Sequence, residues 1–378
     1  MARNDETNRL DSSESHPADY VREITFHWSV RGNVGTNRIV IPVLSKECKH
    51  MVIDSRIGGM GDVWMRLLAL YTLAGTVSER YTIIVKPPLA AMATAVFGDR
   101  ITISTDGPAD VVYTHYGLRH LLRGMAGGTR YVHPFHWVLR ETRTRNGLKD
   151  AINDAAINLA AYSGRLLLPA RKDVWNYQGF MELSALGTFT HVVFEEFESL
   201  SKNDFGSLSG KLRSLIPHTE RPGDEIVVFP SGTAHQIMPV SFAQAHLLNA
   251  SFAFHTHDLY ANEYASAGLK IKTFSSAEEM LSLGSSARLV VCTDSFPSHV
   301  WQTWGARVLL VLSQQSAKQV VHPAFPKSQV VESQAPCVRC RSRVRLHPDD
   351  TCDAGRVFCE TWTNPGYIRK FCEAARDS

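Results

Sequence analysis

The run Met51-Val52-Ile53-Asp54-Ser55-Arg56-Ile57-Gly58-Gly59-Met60-Gly61-Asp62-Val63 carries the strongest architectural signal in the chain. A short apolar strand over 51–54 gives way to a glycine-rich turn, and the apolar periodicity that follows predicts a helix over 62–74. Strand, glycine turn and helix open a Rossmann unit. Glycines let the backbone approach a ligand closely, and the helix N-terminus adds partial positive charge and free amide donors. Asp62 falls in the first helical turn, where a carboxylate is placed to accept a proton and equally to cap the helix; local physics leaves both roles open. A dinucleotide fingerprint occupies the same position. Its spacing does not fit, because Trp64 stands where a third small residue is needed for close helix packing.

Outward from this unit the pattern repeats. Strand signals over 81–85, 101–104 and 110–114 alternate with a helical signal over 89–97, which implies a parallel, doubly wound sheet. Residues 148–161 have helical composition and 188–195 strand composition. Between 198 and 224 the chain turns polar and rich in Ser, Gly and Pro, as an interdomain linker would. A second series follows, with strands over 225–229, 269–274, 289–293 and 308–312 and helices over 241–250, 277–283 and 298–304. Ahead of both series, β-rich runs over 24–30 and 38–43 flank Arg31-Gly32-Asn33-Val34-Gly35 and read as a hairpin. The expected organisation is a disordered tail over 1–20, an N-terminal Rossmann-like domain over 21–205, a C-terminal one over 222–330, and a Cys-rich segment with a C-terminal helix over 331–378.

Bulk properties agree with two domains. At 378 residues the chain exceeds one ordinary core. Hydrophobic residues at 44% and charged residues at 20% exclude wholesale disorder. Forty basic against 37 acidic side chains give +3, far from the balance of a dedicated nucleic-acid binder. The cluster Arg339, Arg341, Arg343 and Arg345 is a solvated face or a contact for phosphate. The N-terminus carries no signal-peptide pattern and no apolar run reaches the ~20 residues of a membrane span, so a cytoplasmic protein is expected. Cys337, Cys340, Cys352 and Cys359 crowd together, with the first two in a CxxC pair. Structural zinc is one reading of that cluster; free thiols or a labile disulfide are the others. His255, His257 and Asp258, and His133 with His136, have metal-compatible spacings, but each set lacks a further ligand.

The sequence Arg56-Ile57-Gly58-Gly59-Met60-Gly61-Asp62-Val63 entering an apolar helix resembles the opening motif of glycosyltransferase family 9, the ADP-heptose:lipopolysaccharide heptosyltransferases. The resemblance implies a GT-B architecture, two Rossmann-like domains with parallel sheets facing across a cleft, and makes Asp62 the general base that deprotonates the acceptor hydroxyl. Val291-Cys292-Thr293-Asp294-Ser295-Phe296-Pro297-Ser298-His299 is similar to the family's donor-binding segment. Physically, this turn sets a hydroxyl and amides at a helix N-terminus, suited to a diphosphate; alternatively Asp294 or Ser295 caps the helix and His299 packs behind it. Phe296 stands where the family has glycine. A third match, Phe229-Pro230-Ser231-Gly232-Thr233, precedes Gln236-Ile237-Met238-Pro239 where the family has Lys-x-Trp-Pro. The missing lysine removes a charge beside the donor phosphates, for which His235 is a substitute.

These matches place the donor, a nucleotide diphosphate sugar, on Ser231, Gly232, Thr233, Gln236, Asp294, Ser295 and His299. The acceptor side falls to Arg56, Gly58, Gly59 and Gly61. The expected reaction is metal-independent transfer with inversion to a carbohydrate, lipid-linked or nucleic-acid acceptor, with no cofactor for catalysis. Closure over the donor is expected to hinge near 200–224. A module acting on nucleic acid and a non-catalytic sugar-nucleotide binder are the alternatives.

Overall fold

The computed structural model describes residues 20–30, 33–43, 50–74, 80–114, 131–134, 194–216, 225–232, 237–238, 240–312, 317–321 and 328–332. Of the expected tail over 1–20, residues 1–19 lie outside them while Tyr20 begins a strand; the helical composition at 148–161 and residues 333–378 of the Cys-rich segment also lie outside, while 331 and 332 end a strand. Strands β1 (Tyr20–Val30) and β2 (Asn33–Val43) form an antiparallel hairpin. Pairing of Val30 with Asn33 leaves only Arg31 and Gly32 between the strands, fewer than the five-residue connection read from the sequence.

The first parallel sheet comprises β3 (His50–Asp54), β4 (Arg80–Ile84), β5 (Ile101–Ser104), β6 (Val111–Thr114) and β7 (Tyr131–Pro134), in the order β5-β4-β3-β6-β7. Helix α1 (Met60–Ala74) follows β3 and α2 (Pro87–Phe97) follows β4. The second sheet comprises β8 (Ile226–Phe229), β9 (Ser251–His255), β10 (Lys270–Phe274), β11 (Leu289–Cys292), β12 (Val308–Leu312) and β13 (Ser328–Glu332), in the order β10-β9-β8-β11-β12-β13. Its helices are α4 (Val240–His246), α5 (Tyr260–Ser266), α6 (Ala277–Gly284), α7 (Phe296–Trp304) and α8 (Ala317–Val320). Both sheets are parallel and doubly wound. In each, the strand order reverses beside the first strand, and ligands of such sheets bind outside the carboxyl ends at that point.

Alternate residues of β8, β9, β11 and β12 enter two different apolar clusters, so the second sheet is buried on both faces and its strands read as continuous apolar runs. The larger cluster does not stop at a domain boundary. It runs from Ile53 and Leu67 of the first half through Phe205 and Leu208 to Phe229, Trp301 and Leu310 of the second.

The stretch expected as a linker is instead helical to Ser214, within α3 (Phe194–Ser214), and residues 194 and 195 are helical rather than strand. Phe205, Leu208 and Leu212 recur at helical spacing and are buried. The interspersed Ser and Gly residues hid this stripe. Side chains tie α3 to both halves: Arg100 pairs with Asp204 (2.8 Å) and Lys211 with Asp99 (2.6 Å), while Ser209 Oγ (2.6 Å) and Arg213 Nε (3.1 Å) donate to the Trp304 carbonyl.

Candidate active site

The chain leaves β3 through a turn that only glycine accommodates. Gly58 has φ +85°, and a Cβ there would lie 2.5 Å from Asp62 Oδ2. Asp62 in turn accepts a hydrogen bond from the Gly59 N–H at Oδ2 (2.7 Å), closing the first turn of α1 as a capping box does. The capping role left open by the sequence is therefore filled by one carboxylate oxygen, and Oδ1 remains for other chemistry. Arg56 is engaged by Asp54, with Nε to Oδ1 at 3.0 Å and Nη2 to Oδ2 at 2.6 Å, which raises its pKa further.

Two cations that sequence reasoning passed over hold the carbonyl side of this turn. Arg66, fully buried one helical turn beyond Asp62, donates through Nη2 to the carbonyls of Ser55 (3.1 Å) and Ile57. Lys86, the N-cap of α2 just beyond β4, donates to the Gly58 carbonyl. The available signal was a lone arginine in the otherwise apolar run of α1, and a lysine directly before Pro87-Pro88.

On the second domain, Ser295 is the N-cap of α7, and Ser298 returns its hydroxyl to the Ser295 N–H (3.4 Å). The Ser295 hydroxyl itself donates to the Thr293 carbonyl (3.2 Å). Phe296 opens the helix, buried, with its ring edge-on to Trp64 (6.1 Å, 78°). Of the third motif, Gly232 is partly exposed, and the Ser231 hydroxyl donates to Asp258 Oδ2 (2.5 Å). Asp258 Oδ1 accepts from the Tyr260 N–H (3.0 Å), so Asp258 braces the loop after β9. Thr233, His235, Gln236 and all four cysteines of the candidate zinc site lie outside the described residues.

The two motifs meet. A Cβ on Gly61 would lie 2.8 Å from His299 Cδ2, so the absence of a side chain lets α1 settle against α7. Trp64 Nε1 donates to Thr303 Oγ1 across the same seam (3.1 Å). Above it, Asp62 and Asp294 are partly exposed, and buried His299 carries Nε2 3.7 Å from Asp294 Oδ1. Burial first, and then the Asp62 charge, raise the Asp294 carboxyl to about 7. Burial lowers the His299 imidazole to about 4, against the pull of Asp62. At neutral pH His299 is therefore neutral, and its contact with Asp294 is not an ion pair. The site holds two carboxyl groups in unequal surroundings and an uncharged imidazole, the pattern in which acid and base roles separate.

Among the described residues, no three of His, Cys, Asp and Glu stand together to hold a metal ion. His255 Nδ1 accepts the His257 N–H (3.2 Å), which ties the pair into their own loop. His133 lies in β7 without a described side chain, and His136 is outside the described residues. No helix among the described residues is long and apolar enough to cross a membrane.

No family model matches the chain, and no curated protein does. Solved structures do. The chain is similar to a glycosyltransferase family 9 protein from Veillonella parvula at 13% identity, covering 77% of this chain and 88% of that one with a TM-score of 0.44. It is similar to ADP-heptose lps heptosyltransferase II of E. coli at 13% identity, with 87% and 98% covered and a TM-score of 0.49. A third likeness is to an E. coli heptosyltransferase with ADP-2-deoxy-2-fluoro heptose, at 11% identity, 87% and 100% covered, TM-score 0.47.

Proposed function

We propose that the chain is an inverting glycosyltransferase that moves a sugar from a nucleotide diphosphate donor to an acceptor hydroxyl, with Asp62 as the general base. One observation carries this reading: Asp62 from the first domain stands over a seam where it senses Asp294 and His299 of the second, at the carboxyl ends of both sheets.

Asp62 Oδ2 is occupied by the Gly59 amide, so Oδ1 takes the acceptor proton. The acceptor oxygen attacks the anomeric carbon opposite the departing diphosphate, and configuration inverts. Charge grows on the leaving oxygens beside the N-terminus of α7, where the helix field favours it. A second carboxylate there would oppose an anionic leaving group. With its pKa raised to about 7, Asp294 holds a proton in about half of the molecules at neutral pH, and that form donates to a phosphate oxygen. Ser231, committed to Asp258, shapes the donor loop, and Gly232 presents backbone beside it.

The test is Asp62→Asn, whose amide oxygen still accepts from Gly59 and so preserves the turn. Binding of nucleotide sugars by calorimetry should stay within about twofold. Release of nucleoside diphosphate in the presence of acceptor should fall by about 10² or more. Full turnover in that variant removes Asp62 from the mechanism, and a product of retained configuration removes the single displacement.

A further inference from the structure

We infer that Arg66 and Lys86 form a two-cation clamp on the carbonyls of the β3–α1 turn, and that this clamp sets the position of the Asp62 carboxylate. They are positioning residues, not catalytic ones, and their catalytic consequence rests on the transferase reading above.

A turn with glycines at 58, 59 and 61 has little intrinsic preference for one conformation. Something outside it must choose. From behind, Arg66 reaches the carbonyls of Ser55 and Ile57; it lies four residues after Asp62 and therefore on the same face of α1. From the side, β4 pairs in parallel with β3 and delivers Lys86 to the Gly58 carbonyl. Among the described residues Lys86 has no carboxylate partner, and its ammonium donates to the Gly58 carbonyl.

The hold has two effects. Three carbonyl oxygens of the turn are engaged by cations rather than left to face an incoming diphosphate. Gly58 is also fixed at φ +85°, and its carbonyl shares one peptide group with the Gly59 N–H that holds Asp62, so a rotated Gly58–Gly59 peptide would move the carboxylate with it. A fully buried guanidinium is expensive to desolvate, and the bonds from its Nη2 to two carbonyls of a single turn offset part of that cost.

The experiment compares the full-length protein with Lys86→Met, Lys86→Arg and Arg66→Met. Amide hydrogen exchange reads the Gly59 N–H, whose bond to Asp62 is the clamp's direct product. Lys86 is only half-buried, so Lys86→Met should melt within about 2 °C of the parent. It should nevertheless lose Gly59 protection at least about tenfold and lower kcat about tenfold or more, with donor KM unchanged, since small displacements of a reacting group cost this much. Lys86→Arg, with the charge restored, should recover both. Arg66→Met should lose Gly59 protection in its folded fraction. Unchanged Gly59 protection in Lys86→Met overturns the clamp, as does loss of kcat with protection intact, or failure of Lys86→Arg to recover. If the parent turns over no nucleotide sugar, the transferase reading falls while the exchange result still decides the clamp.

Discussion

Adding one methyl group at Gly61 tests the meeting of the two domains most directly. In Gly61→Ala the new Cβ would stand 2.8 Å from His299 Cδ2, 3.3 Å from its Nε2 and 3.5 Å from Phe296 Cα. Carbon atoms settle at about 3.5–4.0 Å, so the seam must open by ~0.7 Å or more. His299 has little room to yield. It is buried, its carbonyl accepts from Thr303, and Asp294 lies against its ring. Overpacking of this kind costs ~1–3 kcal/mol, which corresponds to a loss of the closed arrangement of about fivefold to 150-fold. Transfer should fall by that factor, while each sheet retains its own packing and the melting temperature drops only a few degrees. Gly210→Ala is the internal control, because its Cβ would meet nothing within 4 Å. Steady-state kinetics and thermal melting of the two variants side by side suffice. Equal activity of Gly61→Ala and Gly210→Ala would refute the claim that Gly61 is required for the approach.

Trp64→Phe removes the donor to Thr303 and leaves a void between the domains, so it should destabilise by ~2–3 kcal/mol in urea titration; an unchanged midpoint would deny the seam its role. Asp294→Asn should stabilise the fold at pH 8 by on the order of 1–2 kcal/mol and converge with the parent near pH 4. The native carboxyl, raised to about 7, retains a proton that the unfolded chain has already lost, and parallel denaturation curves at pH 5 and 8 check this. Glu225 is the opposite case. Burial works against its ionisation, but Lys270, Lys272 and Ser251 bring its pKa down to about 2, so its contribution is complete above pH ~4.5 and vanishes as pH falls toward 2. Glu225→Gln should therefore melt lower at pH 7, with the difference closing in acid.

Much of this architecture was legible because its signals are local. The glycine turn before α1 and the apolar runs of β8, β11 and β12 each declare themselves within a dozen residues. What escaped had its cause elsewhere in the chain. Strand β9, Ser251-Phe252-Ala253-Phe254-His255, is buried on both faces and shows no alternation, so it could be recognised only from neighbours β8 and β10. Strands β7 and β13 and helix α5 were passed over in the same way. At the site, Asp62, Asp294 and His299 followed from motifs, whereas Lys86 arrives from the cap of a neighbouring helix, 28 residues from the carbonyl it holds. Trp64 and Phe296 each break an expected pattern, one in place of a small residue and the other in place of glycine. They break it together, because each ring is the other's partner.

The single apolar cluster running through both halves has a practical consequence. Trp64 lies between Phe97 of its own half and Phe296 of the other, so a chain severed within 217–224 would leave indole and phenyl surfaces facing water on both fragments. Neither fragment should fold to completion by itself. Mixed together they should reassemble without a covalent connection, and calorimetry of the intact chain should show one transition rather than two.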